Sequence, residues 1–136
     1  MSSIILLQGG TVLYHDDEDQ VSALKDTDVL ITGNLITKVA KGIEVPADAT
    51  VIDCKGKIVS PGFIDTHHHV WQTQLKGRHM DEQLLDYLVA GNMQSYNFTP
   101  EDMFWGQLSG CLEAIDAGTT YVLDHSHGNY TIEHGK

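Results

Sequence analysis

Positive charge is scarce in this chain: 8 lysines and arginines stand against 19 aspartates and glutamates in 136 residues, a net charge of -11. A polyanion of this kind repels phosphates and anionic lipid, so neither nucleic acid nor a membrane surface is expected as a partner. Cysteine is scarcer still. Cys54 and Cys111 carry no local pairing motif, which argues against a disulfide scaffold and for a reduced, cytoplasmic compartment. Long hydrophobic runs are lacking too. The opening "MSSIILLQGG" has an apolar run of only four residues and no basic stretch before it, so neither a signal peptide nor a membrane span is expected. The dense acidic run "HDDEDQ" at 15–20 lacks the spaced carboxylates and glycine of an EF-hand loop, and reads as a solvated turn.

What is present is globular, with 41% hydrophobic and 20% charged residues. The first sixty residues are a series of short β-branched runs: "IILL" at 4–7, "TVLY" at 11–14, "DVLITG" at 28–33, "LITKVA" at 35–40, "TVIDC" at 50–54 and "KIVS" at 57–60. Turn formers separate them at Gly9-Gly10, Gly33-Asn34, Pro46 and Gly56, with Gly33-Asn34 placed for a hairpin. Residues 1–60 are therefore expected to form the N-terminal part of a small β-sandwich.

The pattern changes at Pro61-Gly62. A strand "FIDT" leads into "HHH", a short helix is expected around "DEQLLDYLVA" (81–90), and a longer one near 100–117. Thr99 suits the N-cap of that helix, Pro100 its first position, and Glu101 and Asp102 its first turn. Phe104, Leu108, Cys111 and Ile115 recur at helical spacing and predict its buried face. Gly118 ends it, and "TTYVLD" at 119–124 is a second strand running into "HSH". Residues 61–136 thus read as strand, helices, strand, with polar chemistry at the C-terminal ends of both strands.

Histidine is concentrated at those ends. Side chains at i and i+2 of a strand share a face, so His67 and His69 can close on one divalent ion while His68 faces the other way. His125 and His127 repeat the spacing; from the residues alone they are ligands, substrate-facing polar groups or a solvated loop. His15, His79 and His134 are single and read as surface or loop residues.

"SPGFIDTHHHVWQTQLKG" at 60–77 and "EAIDAGTTYVLDHSH" at 113–127 together resemble the amidohydrolase superfamily, nearest its branch of chlorotriazine hydrolases, cytosine deaminase and related deaminases. "ILLQGGTVL", "DVLITGNLITKV" and "VIDCKGKIVSPGFID" are similar to the strands those enzymes place ahead of their barrel. The resemblance implies an α/β chain that opens a TIM-like (β/α)8 barrel, with one or two divalent metals, zinc or iron, at the strand ends. It assigns His67 and His69 as metal ligands and makes substrate contacts of His125 and His127. Trp71 and Gln72 follow the chelate directly and are placed at the pocket mouth, with packing beneath a loop as the alternative for Trp71. The implied chemistry is metal-assisted hydrolysis of a C–N or C–Cl bond in a small heterocycle or amide.

A (β/α)8 barrel needs about 250 residues, and residues 61–136 hold two of its strands. The third histidine, the aspartate and the glutamate that the family implies have no counterpart here, since Glu113 lies on a helix and Glu133 in a tail. The expected partners are a small-molecule substrate and the remainder of the barrel, with a homo-oligomer left open. The alternative is a non-enzymatic metal-binding or interaction module of the same ancestry.

Overall fold

A computed structural model describes residues 3–136, and the chain divides into two compact units, Met1–Pro61 and Gly62–Lys136. In the first, β1 (Ile4–His15), β2 (Val21–Thr32), β3 (Leu35–Ala40), β4 (Ala49–Asp53) and β5 (Ile58–Val59) form a single sheet in the order β3-β2-β1-β4, with β5 also paired to β1. β1 runs antiparallel to β2 and parallel to β4 and β5. Leu6, Val12, Val29, Ile43 and Cys54 are buried at its core.

Two expectations change here. Gly9 and Gly10 do not separate two strands; they lie inside β1, whose register against β2 slips between Leu7 and Gly10 and again between Gly10 and Val12. Gly9 takes φ +73°, its N–H donates to Asp28 Oδ1 at 2.7 Å, and Asp28 Oδ2 accepts the Ile43 N–H at 2.8 Å. The buried Asp28 carboxylate therefore satisfies donors that an irregular ladder leaves over. A Cβ on Gly10 would lie 2.8 Å from Val59 Cγ2, so the neighbouring strand also needs this position bare. The second change is at β2, which begins at Val21 rather than near Asp28. Its first half is mostly exposed, so no buried alternation marks it. The acidic run is the turn between these strands: Asp16 Oδ1 accepts the N–H groups of Glu18 and Gln20. Gly33, at φ +64°, makes the expected turn between β2 and β3.

The second unit contains β6 (Phe63–His68), a 3-10 segment Val70–Leu75, α1 (Leu84–Ala90), a 3-10 segment Asn92–Asn97, α2 (Pro100–Asp116) and β7 (Thr119–Asp124). β6 and β7 pair in parallel from Phe63↔Thr119 to His68↔Asp124. This is the expected strand–helices–strand crossover, and its parallel sense brings the two histidine-bearing ends together. Thr99 caps α2 as predicted: the Asp102 N–H donates to Thr99 Oγ1 at 3.2 Å, and the Thr99 N–H to Asp102 Oδ2 at 2.8 Å. Hydrogen bonds from the Thr99 hydroxyl and amide hold the Asp102 carboxyl below the usual carboxylate range.

The predicted buried face of α2 is corrected. Phe104 is 55% exposed and Ile115 69%, while the buried positions are Met103, Gly106 and Gly110. The reason is steric. The segment Val70–Leu75 lies against α2 so closely that a Cβ on Gly106 would be 2.5 Å from the Trp71 carbonyl oxygen, and one on Gly110 2.7 Å from that of Val70. Two glycines one helical turn apart make a flat seat, and backbone approach rather than side-chain apolarity decides which face is covered.

Candidate metal centre

Strand β6 delivers His67 and His68, and His69 is the residue at which the strand hands over to the segment Val70–Leu75. The middle histidine is occupied locally. His68 Nδ1 lies 2.7 Å from Asp65 Oδ2, and Asp65 Oδ1 accepts the His67 N–H at 3.1 Å. The His68 hydrogen bond, and after it the His67 amide, pull the Asp65 carboxyl below its ordinary pKa.

His67 and His69 come together with ring centres 5.2 Å apart and planes at 87°. Zinc–imidazole bonds of about 2.0–2.1 Å place two rings on a tetrahedral ion at a centre-to-centre spacing of about 5 Å, so the pair has the separation a shared ion requires. His69 is also held in one tautomer. Its Nδ1 is 2.7 Å from the carbonyl oxygen of His125, which can only accept, so Nδ1 carries the proton and the lone pair is on Nε2. Such an outer hydrogen bond is how a metal-binding histidine is normally oriented. Among the described residues, no group of three or more His, Cys, Asp or Glu side chains is arranged to hold an ion.

The histidines after β7 join this cluster. The His125 ring stacks on His67 at 4.1 Å and 16°, and His127 meets His69 edge-on at 4.6 Å. Partial burial, and then the neighbouring His69, push the His127 pKa down, favouring its neutral form. A cavity of about 440 Å³ opens beside the triplet, lined by His67, His68, His69, Gln72, Thr73 and the Lys76–Glu113 ion pair. Gln72 thus faces the cavity, and its side-chain amide donates to the Tyr87 hydroxyl on α1.

The expected place of Trp71 at the pocket mouth is not what the structure has. Trp71 is 1% exposed, edge-on to Phe98 and His127, and is a core residue of this unit. Following a glycine-seated 3-10 turn, its side chain is directed into the interior rather than along the cavity. Of the single histidines, His79 lies in the loop before α1, half-buried, with Nδ1 3.0 Å from Glu82 Oε2, and His134 links the Thr131 hydroxyl to the Phe98 carbonyl.

One residue that sequence reasoning passed over organises the site. Asp124, the last residue of β7, accepts the Val70 N–H at 3.2 Å on one oxygen and the Gln107 side-chain amide at 2.8 Å on the other. It therefore ties the segment after His69 to α2. An acid placed immediately before "HSH" at a strand end was the available signal.

The family model that matches this chain is that of the amidohydrolase family, over residues 58–134. The chain is 36% identical over 126 residues to a 5-methylthioadenosine/S-adenosylhomocysteine deaminase of Thermococcus sibiricus, covering 88% of this chain and 27% of that one. It is likewise 36% identical over 125 residues to a 5'-deoxyadenosine deaminase of Methanosarcina barkeri, covering 91% and 28%. Among solved structures it superposes on a triazine hydrolase from Arthobacter aurescens with a TM-score of 0.75 at 27% identity, covering 90% of this chain and 28% of that one. The chain thus spans about a quarter of the length of the relatives it matches. The family match takes in both histidine-bearing strand ends and the crossover between them, and the chain belongs to the amidohydrolase family.

Proposed function

We propose that this chain supplies the metal-binding opening of a hydrolase that cleaves a C–N bond of a small heterocycle, and that it does not carry out the reaction by itself. Relatives named as deaminases of adenosine derivatives and as a triazine hydrolase support the reaction class. The observation that carries the reading is the His67–His69 pair, spaced 5.2 Å apart, with the His69 proton committed to the His125 carbonyl. The family is metal-dependent, and this donor set fits a borderline divalent ion, zinc first and iron second. The chemistry such an ion supplies is a water acidic enough to attack near neutral pH.

The residues of this chain have narrower tasks. His67 and His69 offer two ring nitrogens, and Asp65 engages the Nδ1 of His68, which lines the same cavity. Gln72 presents its amide to the cavity, where it can orient a polar heterocycle. His127, favoured in its neutral form, offers a hydrogen bond beside His69 without adding positive charge. Two protein ligands are one short of the three usual at a catalytic zinc, and the acid that lines the cavity, Glu113, is ion-paired with Lys76. Residues 1–60 are read as the accompanying sheet domain and 61–136 as the start of the barrel. No described helix is long and apolar enough to cross a membrane. The two free cysteines support a cytoplasmic setting.

The test has two arms. The 136-residue chain, with added Zn2+ or Fe2+, is assayed for ammonia or chloride release from 5'-modified adenosines, guanine, simple amides and chlorotriazines, and no turnover is expected. The same residues are then grafted in place of the matching quarter of the Thermococcus deaminase, where deamination is expected and His67→Ala abolishes it. Turnover by the short chain that disappears in His67→Ala overturns the incomplete-site reading, and a folded graft indifferent to His67→Ala overturns the metal assignment.

A further inference from the structure

We propose that His125 is a positioning residue for the His67–His69 pair, acting through its peptide and its ring, and is neither a metal ligand nor a substrate contact. The proposal rests on the metal reading of that pair given above. The peptide part comes first. The His125 N–H donates to the His68 carbonyl at 2.7 Å, extending the β6–β7 ladder by one residue, and the His125 carbonyl accepts from His69 Nδ1 at 2.7 Å. One residue therefore grips two consecutive histidines, and the second grip selects the His69 tautomer whose Nε2 is free to bind.

The ring part decides between roles. His67 is exposed on the end of an open strand, where nothing in its own strand restricts its rotamer. The His125 ring lies against it at 4.1 Å and 16°, nearly face to face. Imidazole lone pairs lie in the ring plane. An ion bound in the plane of His67 at about 2.0–2.1 Å thus stays roughly 3.5 Å out of the plane of a ring stacked on it. The two rings cannot serve one ion together in this arrangement, which removes the ligand role. The substrate role fails separately, because one face of His125 is spent on His67 and the residue does not line the cavity beside the triplet. What remains is restraint: the stack fixes the plane of His67, and the carbonyl fixes the proton of His69.

The test uses the 136-residue chain and its variants His125→Ala, His125→Phe and His67→Ala, with two readouts. Long-range proton–nitrogen NMR spectra of the imidazoles, recorded without metal, report tautomers and ring-current shifts. Competition against a chromophoric chelator reports Zn2+ affinity. The wild-type chain is expected to show His69 with its proton on Nδ1 and His67 ring protons shifted upfield by the stack. His125→Ala keeps the tautomer, because the carbonyl remains, loses the upfield shift, and weakens Zn2+ binding by about tenfold or more. His125→Phe restores both shift and affinity. If His125→Phe binds Zn2+ as poorly as His125→Ala, the imidazole nitrogen is needed and His125 is a ligand after all. If His125→Ala changes neither readout, there is no positioning. If the wild-type chain takes up too little Zn2+ to measure, as a site one ligand short allows, the metal-free spectra alone decide the stack; a His67→Ala variant that binds Zn2+ unchanged overturns the metal reading instead.

Discussion

The polar end of the β6–β7 pair and the apolar faces behind it are only a few residues apart in sequence, yet they are finished to very different degrees. At the polar end, Asp65, His68, His69, Asp124 and His125 all have partners at 2.7–3.2 Å. Behind it, Phe63, Ile64 and Tyr121 on the strands, and Phe104, Leu112 and Ile115 on α2, are exposed. The first region needs only two strand ends in parallel register. The second needs further layers to cover it, and the described residues do not include them. Chemistry at a strand terminus can thus be assembled by one crossover, whereas burial of that crossover's flanks cannot.

The strongest way to break this contrast is to remove a histidine of the pair. His67→Ala or His69→Ala is expected to abolish measurable Zn2+ binding by the chain while leaving its far-ultraviolet circular dichroism unchanged. Loss of folded signal would show that the polar end also supports the fold. A similar test of packing comes next. Gly110→Val places atoms where the Val70 backbone lies and is expected to cost about 1–3 kcal/mol, read as a lower urea midpoint, because overpacking strains both elements. A neutral outcome would mean that the seat between α2 and Val70–Leu75 is loose.

Helix capping lies a step below. Thr99→Ala removes the side-chain acceptor for the Asp102 N–H, and is expected to cost about 1 kcal/mol in urea denaturation. The same cap predicts a pH effect. The Asp102 carboxyl is lowered in the folded chain, so its contribution is complete above the ordinary value of 3.8 and is lost as pH falls below it through the folded value. Stability of the wild-type chain should therefore fall more steeply below about pH 4 than that of Thr99→Ala. The smallest effect sharpens the comparison from the other side. Ile115→Ser on the exposed flank of α2 should shift stability by no more than about 0.5 kcal/mol while improving solubility.

Much of this was legible in the residues, and the failures have common physical causes. β3 and β7 fall where their β-branched runs predicted, and α2 begins at its predicted cap, because each is specified by its own neighbours. The Gly9-Gly10 pair was misread as a turn, since a bulge and a turn use the same left-handed glycine and differ only in what the partner strand does. The covered face of α2 was misjudged because periodicity finds apolar residues, while this contact selects bare backbone at Gly106 and Gly110. The i, i+2 spacing predicted that His67 and His69 come together, and their rings do lie 5.2 Å apart. The burial of Trp71 was one of the two readings open for it, and the grip of His125 was not legible, since it depends on which residues a crossover brings alongside.

That crossover also imposes an order in time. His69 and the carbonyl that fixes its proton are 56 residues apart in the chain. During synthesis from the N-terminus, the triplet is made well before the peptide group that selects its tautomer. Until β7 has closed against β6, His69 exchanges freely between its two neutral forms and His67 rotates without a neighbour. Closing a loop of this length is among the slower steps in folding a chain of mixed topology. The form of His69 with its proton fixed on Nδ1 therefore exists only after β7 has docked on β6.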